Sequence, residues 1–228
     1  MVKFLIMNSI NYLTEINKER ANRIKGRLAP DPNAILLWNI AINDVQNFEK
    51  KEKLIKAFNF AKEIEYKHEG LSKDIYFAHP VRVAALSLLS QRSININCGL
   101  IGLLHNIFEL SDIPFDLISE KFGKFIANQI KDLTVNRHLQ YDKIYKNAYY
   151  QKINSNPLEC RIVKIFDKID NIFLLDLNPD EEIKVKYLTE IELYILPMVA
   201  RDIPELYNYL LKMIEYYQIN NLSKRHES

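Results

Sequence analysis

Apolar residues recur at three- and four-residue intervals along most of this chain, the spacing of one helical face. Between Phe48 and His68, Leu54, Ile55, Phe58, Ala61 and Ile64 form such a stripe among charged positions, and Gly70 is placed to stop the helix. Pro80 suits the first turn of the next helix, whose core face is Val83, Ala84 and Leu86 to Leu89. Residues 95–109 are so apolar that they predict a central helix. Pro114 opens another, with Leu117, Ile118, Phe122, Phe125, Ile126 and Ile130 inward; Gly123 within it either costs about 1 kcal/mol against alanine or marks a break. A tyrosine-rich helix is predicted over 141–152 and a strongly amphipathic one over 158–175. Asn178-Pro179-Asp180 caps a further helix over 181–196, and Pro204 starts the last, to about residue 217.

Residues 1–46 depart from this pattern. Two prolines interrupt residues 27–33, and residues 34–40 (Ala-Ile-Leu-Leu-Trp-Asn-Ile) fit a strand or a short buried helix equally well. The expected organisation is an N-terminal extension over 1–46, an all-α domain over 47–221, and a disordered polar tail over 222–228.

Composition narrows the function classes. The chain has 228 residues, 48% hydrophobic and 26% charged, as in ordinary globular domains. A formal net charge of +2 supplies no bulk electrostatic argument for a nucleic-acid or membrane partner. Five glycines, none in a phosphate-cradling pattern, exclude P-loop and Rossmann readings. Cys98 and Cys160 both lie in apolar helical patterns, so they are expected as buried thiols. The N-terminus turns polar at Asn8-Ser9 with no signal-peptide pattern, and no apolar run reaches the ~20 residues of a membrane span, so the expected location is cytoplasmic.

Three helices carry candidate chemistry. His105 lies inside the apolar 95–109 segment; on one continuous helix Glu109 follows one turn later on the same face, with Asn106 beside the histidine. His79 precedes Pro80, and Asp167 flanks the stripe of the 158–175 helix with Lys164 and Asn171 about one turn to either side. Singly, Asp167 reads as a paired structural charge and His79 as a cap or satisfied core imidazole. Together they offer two nitrogens and one carboxylate, a set suited to Mn²⁺, Fe²⁺ or Zn²⁺ with positions left for water and a phosphate oxygen.

The order H…HN…D resembles the H…HD…D signature of the HD phosphohydrolase superfamily. Over roughly residues 50–177 the chain is similar to the hydrolase domain of RelA/SpoT-type enzymes, which remove the 3′-pyrophosphate of (p)ppGpp. Lys67-His68-Glu69-Gly70 resembles A-H-x-G-Q, and residues 75–80 (Ile-Tyr-Phe-Ala-His-Pro) resemble P-Y-I-x-H-P. Residues 102–109 lie over A-L-L-H-D-V-V-E-D, and residues 163–171 (Val-Lys-Ile-Phe-Asp-Lys-Ile-Asp-Asn) resemble I-K-L-A-D-R-L-H-N. The resemblance implies an all-α HD-type multi-helix bundle. It makes His79, His105 and Asp167 metal ligands, manganese being the family's usual ion, with iron or zinc as alternatives. It makes Glu109, with Asn106 at the HD aspartate's position, the catalytic pair, and places Lys164, Asn171 and Lys73 near the substrate. His68 matches a family histidine that is not a ligand and is read as structural.

The departures cut the other way. Asn106 removes a negative charge from the metal's surroundings, a loss of several kcal/mol of attraction, roughly, that could empty the site. Leu110 replaces the second acid of E-D, and the basic loop after the early motif shrinks to Leu71-Ser72-Lys73-Asp74. One engineered change at Asn106 would leave Leu110 and the short loop unexplained. Two readings follow: a metal-dependent phosphohydrolase acting on a nucleotide or other phosphorylated small molecule, or a degenerate HD domain that binds a ligand or partner without turnover. Tyrosines 141–150 are assigned to core packing ahead of a stacking role. Oligomeric state is left open.

Overall fold

The computed structural model describes residues 12–90 and 95–225, and among these there are helices and no strand. The architecture is an all-α HD-type helical bundle. Among the described residues no helix is long and apolar enough to cross a membrane.

Three helices form the centre. Helix α5 (Ala78–Leu89) is buried along nearly its whole length, and it packs against α6 (Ile96–Leu104) and α11 (Leu158–Ile172). Their contact is close because Gly102 lies directly on Ala84: a β-carbon at Gly102 would stand 2.6 Å from the Ala84 α-carbon. Only glycine lets the two backbones approach this far. Helix α3 (Phe48–Lys62) covers α6 from outside, and α8 (Phe115–Phe122) meets α9 (Lys124–Leu133) across a break at Gly123, whose φ of +97° suits glycine alone.

The segment read as an N-terminal extension contributes two helices to this same body. Helix α1 (Tyr12–Lys25) packs on the last helix, α14 (Tyr207–Arg225), and α2 (Pro32–Asn43) packs on α5. Residues 34–40 are therefore helical: Asp31 caps α2 by accepting from the Asn33 amide at 3.0 Å, and Pro32 occupies its first turn. Residues 1–11 and, in the expected tail, residues 226–228 lie outside the described residues.

Some boundaries differ from the pattern-based expectation. The 48–68 helix ends at Lys62, before Ile64 and Tyr66 turn into the core as an irregular segment; Gly70 takes its left-handed φ of +80° beyond that. Helix α12 (Glu181–Glu190) leads into a π-helical turn at Ile191–Ile195 before α13 (Leu196–Asp202). Pro197 has no N–H to donate and its ring crowds the preceding turn, which accounts for the widened turn at this point.

Candidate metal centre

Helix α6 stops at Leu104, leaving its last carbonyls without helical partners. His105 satisfies one of them: its Nδ1 lies 2.8 Å from the Gly102 carbonyl oxygen. A carbonyl only accepts, so Nδ1 carries the proton and Nε2 presents a lone pair. Asn106 then adopts φ −101° and ψ 6°, and a separate short turn, α7 (Ile107–Leu110), follows. The continuous helix expected over 95–109 is thus broken at the motif itself.

His79, in the first turn of α5, is oriented in the same manner. Its Nδ1 lies 2.9 Å from Asp170 Oδ2, which turns Nε2 inward. The two Nε2 atoms face each other at 3.2 Å. Asp167 Oδ1 is 3.4 Å from His79 Nε2 and 3.6 Å from His105 Nε2. Metal–ligand bonds of about 2.1 Å at angles between octahedral and tetrahedral separate neighbouring donors by about 3.0–3.4 Å, close to this triangle. Two lone pairs and a carboxylate converging without a shared cation or proton would repel. The donor set therefore fits a divalent ion.

The charges around the triangle keep its carboxylate ionised. Burial opposes ionisation of Asp167, but Lys164 and the two imidazoles keep its carboxyl well below the usual range. Lys164 Nζ is 3.1 Å from Asp167 Oδ2, and Asn171 Nδ2 donates to Oδ1 at 2.8 Å. Lys164 is itself raised: burial works against its charge, and Tyr149 and Asp167 more than offset it. His79 is also raised, because its hydrogen bonds to Asp167 and Asp170 outweigh the cost of burial.

The triangle lies on the wall of a cavity of about 380 Å³. Seven Lys/Arg side chains line it against four Asp/Glu, a formal excess of three positive charges; the whole chain carries only +2, so positive charge is gathered here. Glu109 and Asn106 share the cavity with the ligands, but Glu109 pairs with neither histidine. Its Oε1 accepts from the Val135 amide at 2.8 Å and its Oε2 from Arg137 Nε at 2.9 Å. The Asn106 amide nitrogen donates to Tyr76 Oη at 2.7 Å.

Lys73 is placed elsewhere. Its ammonium is held by Glu65 at 3.0 Å beside Glu63, because the shortened loop runs straight into α4 (Lys73–Tyr76) under the end of α3, and it does not line the cavity. The tyrosines, by contrast, do more than pack the core: Tyr141, Tyr145, Tyr149 and Tyr150 all line the cavity, and Tyr145 and Tyr149 are stacked, 6.2 Å apart. His68 also lines it, with Tyr76 against its ring at 5.0 Å and an Nδ1 that has no hydrogen-bond partner among the described residues.

Several cavity residues carry no signal in a local motif. Arg23 and Arg27 come from the N-terminal segment, Arg137 from the 134–142 connection, and Glu190 from the end of α12. Asp170 was the most accessible to inspection: it stands where the motif quoted above has histidine, one turn beyond Asp167 on an apolar helix.

These features define a class, an HD-type bundle with a His/His/Asp centre, and comparison with known proteins gives it relatives. No protein-family model matches the chain. A guanosine-3′,5′-bis(diphosphate) 3′-pyrophosphohydrolase of Aquifex aeolicus is 25% identical over 145 residues, which is 63% of this chain and 20% of that protein. A probable enzyme of the same name from Mycoplasma genitalium is 33% identical over 155 residues, 63% of this chain and 21% of that protein. The chain thus spans about a fifth of the length of these relatives. A solved structure of a metazoan ortholog of SpoT, described as hydrolysing ppGpp, superposes with a TM-score of 0.58 at 16% identity, covering 72% of this chain and 94% of that one. Sequence and fold thus liken this chain to the hydrolase region of such enzymes, over 63% and 72% of its length respectively.

Proposed function

We propose that this protein is a divalent-metal-dependent phosphohydrolase acting on a nucleotide that bears a pyrophosphate, of the (p)ppGpp type. The observation that carries the reading is the convergence of His79 Nε2, His105 Nε2 and Asp167 Oδ1 on the wall of a cavity with excess positive charge. The named activity of its relatives points the same way.

His79, His105 and Asp167 would hold the ion, with manganese the first candidate. When bound, it supplies Lewis-acid polarisation of a phosphate oxygen and acidifies an adjacent water. The chain's own groups do the rest. Lys164, charged although buried, neutralises phosphate charge beside Asp167. Glu109, anchored on the Val135 amide, orients the attacking water and takes its proton as the new P–O bond forms and the bond to the leaving oxygen breaks. Stacked Tyr145 and Tyr149 give a flat aromatic surface for a base.

One observation favours a second reading, binding without turnover. Asn106 offers the site no charge and is committed to Tyr76, and both Glu109 oxygens are already engaged. The deciding experiment incubates purified protein with Mn²⁺ and (p)ppGpp and follows pyrophosphate release alongside metal content. Release that is lost in His79→Ala supports the hydrolase. Tight nucleotide binding with no release in single-turnover conditions supports the binding module and sinks the enzyme.

A further inference from the structure

Asp170 is saturated. Its carboxylate has about four lone-pair sites, and four donors fill them: Arg23 Nε at 2.9 Å and Arg82 Nε at 2.8 Å on Oδ1, Arg82 Nη2 at 2.9 Å and His79 Nδ1 at 2.9 Å on Oδ2. Arg82 extends the chain to Asp31, whose Oδ2 accepts from Nη1 at 2.9 Å. All five residues are buried, and Arg23 also pairs through Nη1 with Glu19 at 3.0 Å. We propose that Arg23 and Asp31, from the N-terminal helical pair, are positioning residues that clamp Asp170 and thereby fix the ring orientation and tautomer of the metal ligand His79.

The physical case is one of degrees of freedom. A carboxylate beside an imidazole fixes the metal-facing nitrogen only if the carboxylate itself cannot rotate. Arg82 alone gives Asp170 a fork of two bonds along one edge. Arg23 occupies the remaining site on Oδ1, and Asp31 holds the Arg82 guanidinium against rotation. Arg23 and Asp31 both lie outside residues 50–177, so the segment beyond the resemblance completes the centre.

The clamp rests on the metal reading, and its test separates the two. Asp31→Asn keeps Oδ1 as the cap of α2, since asparagine caps as well as aspartate, and removes only the acceptor facing Arg82. Arg23→Gln removes the third donor to Asp170. Mn²⁺ affinity is measured by calorimetry on the full chain, with Asp202→Asn as a control that breaks a distant pair with Arg161. The expected result is about a ten-fold or greater loss of affinity in both clamp variants and none in the control. Affinities equal to the parent's, or an equal loss in the control, would overturn the clamp. If Asp31→Asn does not fold, Arg23→Lys, which keeps the charge and loses the guanidinium geometry, carries the same comparison. Imidazole ¹⁵N resonances of metal-free protein, at a pH where His79 is neutral, give a second readout. A proton on Nδ1 in the parent and mixed tautomers in the variants supports the clamp even if the parent binds no metal, a result that removes only the phosphohydrolase reading. Unchanged His79 resonances in the variants would refute it.

Discussion

Asn106 turns its amide nitrogen toward Tyr76, so the doublet His105-Asn106 gives the centre one nitrogen and no second charge. Tyr76 is buried and its hydroxyl pKa is raised by that burial, so it stays a neutral group able to donate. In Asn106→Asp the hydrogen bond should therefore survive with its direction reversed, while a carboxylate returns beside the ligands. Mn²⁺ affinity is expected to rise by about ten-fold or more, read by calorimetry; an unchanged affinity would place this position outside the ion's surroundings. Glu109 tests the other half of the motif. Glu109→Gln should lower kcat by about 100-fold while metal affinity stays at the parent's value, and a comparable loss of metal would mean that Glu109 is a ligand instead. At this scale residue type carried much of the information. Two histidines and an aspartate in apolar helices, once compared with a known motif, were enough to nominate the triangle. Asp170 was not nominated, because nothing in a string of letters says which buried acid faces which ring.

Helices α5 and α6 cross at Gly102 and Ala84, and this contact sets the separation of His79 from His105. In Gly102→Ala the new β-carbon would meet backbone, which cannot swing aside as a side-chain tip can. The helices should part, costing about 1–3 kcal/mol in denaturant unfolding and weakening metal binding at once. A variant that loses stability and keeps full affinity would show that the ligands do not depend on this crossing. Helices α10 (Lys143–Ser155), α11 and α12 meet through another buried cluster, in which Glu190 accepts from Lys146, Lys168 and Tyr150, each at 2.6 Å. Burial opposes the Glu190 charge, but the two lysines and the tyrosine bring its pKa from 4.5 down to about 2. A depressed carboxylate stabilises the fold fully above its unfolded value and loses that contribution as pH falls. Stability should thus decline from about pH 5 toward pH 2, with roughly 3 kcal/mol attributable to Glu190. Glu190→Gln should flatten this acid limb; an acid limb identical to the parent's would dismiss the cluster as its source. The element boundaries near these sites were the least legible. The break at His105-Asn106 has no glycine or proline at the point where it falls, Gly99 and Gly102 both lying within the helix before it; the stop comes from a side chain that binds its own helix's carbonyl.

The assembled molecule gathers an excess of three cavity cations in a chain of net charge +2, and it draws them from positions as far apart as Arg23 and Lys168. If the centre binds its ion only when folded, Mn²⁺ at a hundred times Kd should add about 2.7 kcal/mol of stability and raise Tm by roughly 5–10 °C, reversed by chelator. A melting temperature indifferent to Mn²⁺, Fe²⁺ and Zn²⁺ would count against any resident ion. By itself the sequence determined the helical class, the apolar faces and the three candidate ligands, because periodicity and residue type are local properties that survive reading one letter at a time. Only the tertiary structure decided that residues 12–43 belong to the same body, that Lys73 turns away, that the tyrosines reach the cavity, and that Asp170 ties His79 to two arginines. Each of these joins groups distant in sequence, and such a contact is set by how helices pack, not by the residues on either side of it. The doublet His105-Asn106 shows both sides of this: its histidine was legible as a candidate ligand, but its partner, its break and its missing charge acquire meaning only against Tyr76, Gly102 and Asp167.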